Sequence, residues 1–540
     1  MVPRSLLTVL VLGCCTFLTS CEKPESNVVK GNRQQILHKG NGKEVQDLDP
    51  HIVNSVSSFN IISALLEGLV AEDPVDLHPV PGVAERWEVS PDGKIYTFFL
   101  RQNARWSNGA AVTSNDFLRS YHRILTPALA SDVAYMLYPV QNAAAFHKGE
   151  ITDFATVGFR APDDHTLEIT LTHPTPYFLS LLNHYSWFPV HIPTVQKYGP
   201  VLERGSRWTL PDRYVGNGPF TLEEWRLNVR VGVKKSPTYW DVDRVALNAI
   251  VFHTIDSADV EERAFRSGQL HISDGIPLSR IERYRREKPD LLRIDPYLGT
   301  YFFRVNVTRP TLDNRLVRRA LAMAIDRQSI VERVTRGGQL PAAYFTPPNT
   351  AGYTCQSSIP YDVAQAQRLL REAGFPEGRG LPPIEILFNT SESHKIIAEA
   401  VQQMWRQNLN VMASLINQEE KVYFDSRRQM NYQVIRSTWI GDYNDPNSFL
   451  DLWVTNGTNN ATGWSNPEYD RLLAEAGSTA DPAARSAAFQ KAEAILLDEA
   501  PVLPVYFYTH AFLARPEVKG WYPTILDHHP YKHVRLAPVP

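Results

Sequence analysis

Hydrophobic positions along the chain recur with two periods, two residues and about 3.6, and segments of the two kinds alternate throughout. Ile95-Tyr96-Thr97-Phe98-Phe99-Leu100 reads as a strand opened by the turn signal Pro91-Asp92-Gly93, and Ser107-Asn108-Gly109 marks another turn. Thr113-Ser114-Asn115-Asp116 has the spacing of a capping box, in which a hydroxyl and a carboxylate satisfy the free amides of a helix start. Phe117, Leu118, Tyr121, Ile124 and Leu125 then fall on one helical face. Leu316, Val317, Ala320, Leu321, Ala324 and Ile325 repeat that face after Asp313. In the C-terminal half, residues 384–388 predict a buried strand, 391–407 a helix capped by Ser391, and 411–415 a second strand. A β-α-β order of this kind implies a parallel pair joined by a right-handed crossover. Ligands of open α/β sheets lie beyond the carboxyl ends of such strands. The loop Asn389-Thr390-Ser391-Glu392-Ser393-His394 falls at that edge and brings helix-terminal amides, where an anion is favoured.

Composition narrows the function classes. The 540 residues argue for two or three packed lobes, since single cores rarely exceed about 250–300 residues. A formal net charge of −3 offers no basic face for nucleic acid. After residue 21 no apolar stretch approaches the length that spans a bilayer. Residues 1–20 read as a secretion signal, with Arg4 ahead of a short apolar run at 6–12. Leu18-Thr19-Ser20-Cys21 resembles a bacterial lipobox, which would lipidate Cys21 and make 21–27 a polar tether to the membrane. Val11-Leu12-Gly13-Cys14 fits the same loose pattern but leaves an unusually short signal. Cys14 and Cys15 leave with the signal, so Cys355 remains as a lone thiol in a turn-rich stretch, a bystander without an internal disulfide.

The sequence has no G-x-S-x-G elbow, H-E-x-x-H helix, P-loop or C-x-x-C pair. Glu223-Glu224, Glu261-Glu262 and Glu419-Glu420 are adjacent carboxylates that point to different faces, which makes them poor acid/base pairs. His528-His529 with His533 could suggest a metal site, but their Pro- and Tyr-rich setting near the chain end reads as a solvated tail. No catalytic residue, metal or cofactor is expected.

From about residue 36 to 533 the chain resembles the oligopeptide-binding proteins of bacterial ABC peptide importers, within the extracellular solute-binding proteins of the peptide/nickel family. The matching stretches keep the family's order. They run from Asp49-Pro50 and Leu65-Leu66-Glu67-Gly68-Leu69 through Pro81-Gly82-Val83-Ala84-Glu85-Arg86-Trp87, Trp106-Ser107-Asn108-Gly109, Asn217-Gly218-Pro219-Phe220 and Tyr239-Trp240-Asp241. Residues 315–327, Tyr344-Phe345-Thr346-Pro347-Pro348, Asn389-Thr390-Ser391, Gly441-Asp442-Tyr443-Asn444 and Val505-Tyr506-Phe507-Tyr508 complete the series. The resemblance implies an α/β, two-lobed periplasmic-binding-protein-like fold with an extra third domain and hinge closure over the ligand. Its bounds would be 28–70 with 198–298 and 510–540 for lobe I, 71–197 for lobe II and 299–509 for lobe III. Peptide would lie between lobes I and III of a monomeric, membrane-anchored, extracytoplasmic receptor that does no chemistry. Its partners would be the permease subunits of the membrane with their ATPases. Murein tripeptide, dipeptides or another small ligand on the same fold, and more distantly a secreted hydrolase, are the competing readings.

By the same resemblance Asp442 would pair with the peptide's free ammonium. Arg427, Arg436 and His394 would engage C-terminal carboxylates or acidic side chains, and Tyr297, Phe302, Trp439, Tyr506 and Tyr508 would form walls. The chain also departs from the family. The positions of a family disulfide hold Gly299 and Ile440, a carboxylate-binding basic residue is replaced by Thr335 with Arg336 beside it, and an aromatic wall residue becomes Glu420. Arg304 stands where relatives offer an acid. In Tyr301-Phe302-Phe303-Arg304-Val305-Asn306, strand alternation puts Phe302, Arg304 and Asn306 on one face. If that face lines the ligand site and Arg304 does not pair with Glu420, the pocket would be basic and favour acidic peptides.

Overall fold

Three sheets organise the computed structural model, which describes residues 25–457, 459–479 and 481–538. The proposed signal and Cys21 lie outside the described residues. The first sheet has the order Ile36–Gly40, Ala249–His253, Arg230–Lys235, Phe220–Arg226, parallel at its first pairing and antiparallel after it. The second is antiparallel, with the order Ala84–Val89, Ile95–Leu100, Thr166–Thr170, Phe159–Asp163. The third has six strands in the order Leu340–Pro341, Val502–Leu513, Leu292–Val305, Val434–Ile440, Ile384–Asn389, Ala413–Gln418.

The apolar core divides into two large bodies. The first two sheets share one core, running from Leu37 to Phe252 and completed by Phe512, Trp521 and Tyr531 from the chain end. The third sheet and its helices enclose another, from Leu298 to Tyr506. The chain passes from the first body to the second along Leu292–Val305 and returns along Val502–Leu513. The result is a two-lobed α/β architecture.

Local signals fall where the hydrophobic pattern puts them. The Asp116 carboxylate accepts the Thr113 N–H at 2.8 Å and its hydroxyl at 3.0 Å, opening the helix Ser114–Leu125. The helix Arg315–Met323 is capped by Asn314, whose side-chain oxygen takes the Leu316 N–H at 2.9 Å. The β-α-β unit is present as Ile384–Asn389, Glu392–Leu409 and Ala413–Gln418, its strands parallel. Its second strand starts later than expected, because Asn410 turns left-handed at the helix end and the Val411 N–H still donates to the Trp405 carbonyl. Ser391 holds the cap position, but its hydroxyl is engaged with Ser393 at 2.9 Å and makes no cap bond.

The chain end is no solvated tail. His528 Nδ1 lies 3.0 Å from both Glu72 carboxylate oxygens, and His529 stacks on Trp521 with ring centres 3.8 Å apart. Trp521, Leu526, Tyr531 and Val534 are buried, and that apolar surface draws the segment inward.

Asp49, from the Asp49-Pro50 stretch, meets Arg123 inside the first body through two hydrogen bonds of 2.6 and 3.0 Å. The same guanidinium donates to the Val201 carbonyl at 2.7 Å and reaches His51 Nδ1 at 2.9 Å. Burial alone would raise the Asp49 carboxyl, but the Arg123 charge and hydrogen bonds outweigh it and hold the group below its usual range. A depressed carboxyl contributes stability above its unfolded-state value and loses it as pH falls through the folded value. Asp49→Ala leaves Arg123 buried and unpaired, which should cost about 3–5 kcal/mol in denaturant unfolding at neutral pH. The wild-type advantage should shrink on acidification. A loss under about 1 kcal/mol at neutral pH would show that the pair does not fasten this body.

Candidate ligand-binding cleft

Asp442 follows the strand Val434–Ile440 directly, at the boundary of the two bodies. Its loop is fixed by backbone: the Gly441 N–H donates to the Leu298 carbonyl at 2.7 Å, and the Asp442 N–H donates to the Ser448 hydroxyl at 3.1 Å. From the first body, Tyr135 donates its hydroxyl to Asp442 Oδ2 at 3.2 Å. No lysine or arginine among the described residues pairs with this carboxylate. Burial therefore pushes the carboxyl up to about 6, against the Tyr135 hydrogen bond and the nearby His528. Two more contacts join the bodies. Tyr177 stacks on Tyr443 with ring centres 4.8 Å apart, and Lys43 Nζ meets Glu420 Oε2 at 2.6 Å.

A cationic group lies along the third sheet. Arg436 sits over the Tyr301 ring at 4.9 Å, with long bonds to the Asn389 side-chain oxygen at 3.3 Å and the Tyr508 hydroxyl at 3.4 Å. Its Nε is buried without a partner. His394 lies 5.8 Å from Tyr301, ring to ring, and burial with the Arg436 charge pushes it down to about 2, so the imidazole is neutral. Arg427 is half-buried, 5.0 Å over Phe424, and lowered by burial. No carboxylate among the described residues pairs with Arg427 or Arg436. Tyr506 stacks on Tyr301 at 4.8 Å and meets Tyr508 edge-on at 5.2 Å, and Tyr297 lies edge-on to Tyr508 at 6.4 Å. Trp439 is half-buried, its indole N–H unpartnered.

The structure thus gathers Arg436, His394, Tyr297, Tyr506 and Tyr508 around Tyr301, a residue the sequence reasoning passed over. It sends Phe302 and Arg304 elsewhere. In the antiparallel register Phe302 faces Ser437, whereas Tyr301 faces Thr438 and Phe303 faces Arg436. Phe302 and Arg304 therefore share the opposite strand face, which is covered by the second body's core. Phe302 is fully buried against Phe345 and Trp453, at 5.0 and 5.7 Å. Arg304 is 1% exposed, donates to the Ser437 hydroxyl at 3.0 Å and the Asn459 carbonyl at 2.8 Å, and lies over the Trp453 ring at 4.6 Å. Burial, then the Arg427 charge, lowers it to about 10. Arg304 and Glu420 do not pair, but Arg304 is buried in the core and does not line the cleft, so the basic-pocket expectation loses its main residue. Arg336 is exposed and donates to the Arg333 carbonyl of its own turn, while the buried Thr335 donates to Gln339.

Two bodies meeting at an enclosed carboxylate, with unpaired guanidiniums on one wall, suit a charged ligand clamped between them. Residues 78–461 match the family described as bacterial extracellular solute-binding proteins, family 5 middle. The chain belongs to this family. It is 38% identical over 499 residues to the periplasmic oligopeptide-binding protein OppA of Escherichia coli (strain K12), covering 90% of each chain. Among solved structures, the Escherichia coli murein tripeptide binding protein MppA superposes with a TM-score of 0.84 at 34% identity, covering 93% of this chain and 99% of that one. Haemophilus influenzae OppA in complex with RPPGFSPFR superposes at 0.81 with 33% identity, covering 94% and 99%.

Gly299 and Ile440, where the sequence resemblance implies a disulfide in relatives, are direct partners across the antiparallel pair. A Cβ at Gly299 would lie 2.4 Å from Ile440 Cδ1 and 3.0 Å from the Trp439 carbonyl oxygen. Gly299→Ala should therefore destabilise by about 1–3 kcal/mol through overpacking. Gly299→Cys combined with Ile440→Cys removes the obstructing methyl and should close a cross-link, since facing strand residues have the Cα spacing a disulfide needs. Mass spectrometry after oxidation checks this. Two free thiols at these positions would contradict the register.

Proposed function

We propose that the chain is an extracytoplasmic receptor that clamps oligopeptides and delivers them to an ABC-type permease, without chemistry of its own. The observation that carries the reading is Asp442, a carboxylate enclosed between the two bodies with a tyrosine hydroxyl and, among the described residues, no lysine or arginine partner. A peptide's amino terminus supplies the missing charge. Arg436, with an unpaired Nε, Arg427 and neutral His394 are positioned to receive a carboxylate, and Tyr297, Tyr506, Tyr508 and Trp439 to flank the backbone. The structural relative that holds RPPGFSPFR supports peptide as the ligand class. The likeness to the murein tripeptide binding protein supports a narrower reading, because two unpaired arginines exceed what one terminal carboxylate requires. The three-lobe partition with bounds at 28–70, 71–197, 198–298, 299–509 and 510–540 is part of the proposal, as is a monomeric state.

Asp442→Ala should weaken binding of free tripeptides by roughly two to four decades, because it strips a buried ion pair of one partner. N-acetylated peptides should lose as much affinity for wild type. The anchor must be ionised to hold an ammonium, so wild-type affinity should fall as pH drops through about 6. Calorimetry with free, acetylated and murein tripeptides, each across pH, measures all three effects. Equal binding of free and acetylated peptides would remove Asp442 from the amine site.

Cys21 is proposed to carry the lipid that tethers the receptor. One acyl chain holds only marginally, so firm anchoring requires a multiply acylated cysteine. Cys21→Ser should shift the protein from the membrane fraction to the soluble fraction. An unmodified Cys21 in membrane-extracted protein, read by mass spectrometry, would refute the tether.

A further inference from the structure

Glu420 stands where the sequence resemblance implies an aromatic wall residue, and its partner is not Arg304 but a lysine of the facing body. Lys43 Nζ meets Glu420 Oε2 at 2.6 Å, although the two lie 377 positions apart in the chain. Both ends of this contact are held by their surroundings. On the first body, Lys43 sits in the loop after Ile36–Gly40. The Asn41 N–H donates to the His253 carbonyl at 2.9 Å, and the Gly42 carbonyl accepts the Ile255 N–H at 2.9 Å. Gly42 turns left-handed there, with φ +62°. On the other side of Lys43, the Glu44 carboxylate takes the Trp225 indole N–H and the Asn228 N–H at 2.7 Å each. The loop is thus tied down before and after the lysine, whose side chain projects from it with 69% exposure.

On the second body, Glu420 opens the helix Glu420–Arg428. Glu419 caps that helix by accepting the Lys421 N–H at 2.9 Å, so one of the adjacent carboxylates fixes the helix start and the other crosses to the first body. The helix dipole also favours a carboxylate in the first turn. The preceding strand is locked to its neighbour, since Thr390 donates its N–H to the Gln418 carbonyl at 2.9 Å and its hydroxyl to the Asn417 side-chain oxygen at 2.6 Å. The sheet sets the distance to Asp442. Val434–Ile440, Ile384–Asn389 and Ala413–Gln418 are successive parallel strands, and Asp442 and Glu420 follow the carboxyl ends of the outer two. Two strand spacings put Glu420 about 10 Å to the side of Asp442, the length of about three extended residues. Between them, the end of the middle strand holds Asn389, which accepts from Arg436 at 3.3 Å, and leads into the helix that carries His394.

Resting on the peptide-receptor reading, we propose that Lys43 and Glu420 determine ligand length: their ion pair closes the end of the cleft away from Asp442 and selects peptides of about three residues. A ligand with its ammonium at Asp442 and its carboxylate at Arg436 or His394 fits inside the closed pair. A longer chain must pass between Lys43 and Glu420, which at 2.6 Å leave no room for a backbone, so it binds only by parting them. The selection acts against the long ligand rather than for the short one. Exposed ion pairs are weak and screened by salt, so the preference is a few-fold one that depends on ionic strength.

The test is calorimetry of trialanine and of a nine-residue peptide of alternating alanine and serine, which carries no charged side chain. Each is measured on wild type, Lys43→Gln, Glu420→Gln and the exchanged double variant Lys43→Glu with Glu420→Lys. Either single substitution is expected to raise the nonapeptide's affinity relative to trialanine about three- to five-fold, and the exchange to restore the wild-type ratio. Raising the salt to about 0.5 M should shift the wild-type ratio in the same direction and leave the single variants unmoved. A ratio unchanged by both single substitutions, or one that stays shifted in the exchanged variant, would overturn the inference while leaving the receptor reading intact. If neither peptide binds folded wild type, the receptor reading itself fails and the inference falls with it.

Discussion

Two antiparallel strands, Leu292–Val305 and Val502–Leu513, hold the rest of the structure in place, because they carry the chain between the two bodies and also form the floor of the cleft. Their pairing is broken between Pro296 and Thr300 and again between Tyr301 and Phe302. On one side of the first break, residues 292–296 pair with 509–513 against the first body, and on the other, 300–304 pair with 502–507 inside the second. Such irregularities bend and twist strands locally. Here they lie where Tyr297, Tyr301 and Tyr508 cluster. Nearby, His510 has its Nε2 2.6 Å from the Asp274 carbonyl and its Nδ1 2.9 Å from an Asp527 carboxylate oxygen, the latter an ionic contact out of line for a hydrogen bond. Acceptors at both ring nitrogens favour the imidazolium: burial opposes the charge, but Asp527 outweighs it and raises His510 to about 9. The crossing is thus pinned by charge on the first body's side and lined by aromatic rings on the cleft side.

Arginine is used in two ways beside those strands. Both Arg304 and Arg436 rest on aromatic rings, which stabilises a guanidinium without a carboxylate. Arg304 then donates through short bonds to Ser437 and Asn459 and lies within the core. Arg436 has only bonds of 3.3 and 3.4 Å and an Nε with no acceptor. A buried donor left unmade costs free energy comparable to a lost hydrogen bond. The difference marks Arg436 as the one with capacity left for a ligand.

Those two side chains also show what a sequence can and cannot disclose. The strand 95–100, the Thr113 capping box and the β-α-β unit were legible because each is encoded by neighbours within a few residues. The family was legible from ordered motifs, and so was the loop that carries Asp442. Which face of 301–306 meets the cleft was not, because a shift of one residue exchanges the faces and only the partner strand fixes the choice. Tyr301 was missed for that reason. Tyr135 and Tyr177 were missed because they reach Asp442 and Tyr443 across some three hundred and more than two hundred and fifty residues of chain. The histidines at 528 and 529 looked solvated because their partners, Glu72 and Trp521, become neighbours only through folding.

The contacts that bring the two bodies together are modest. An exposed pair such as Lys43 with Glu420 contributes at most about 1 kcal/mol. The Tyr135 bond to Asp442 adds a charge-assisted hydrogen bond of about 1.5–3 kcal/mol, but closing around Asp442 also removes water from its carboxylate. The elevated Asp442 carboxyl records that penalty. Closure without a counter-charge therefore gains contacts while losing hydration of an anion. A ligand that brings an ammonium to Asp442 cancels the penalty in the closed arrangement and has little to cancel in an open one. That differential interaction is what a ligand needs in order to shift a conformational equilibrium. Under the proposed reading, the same carboxylate would both recognise the ligand and signal that it has arrived.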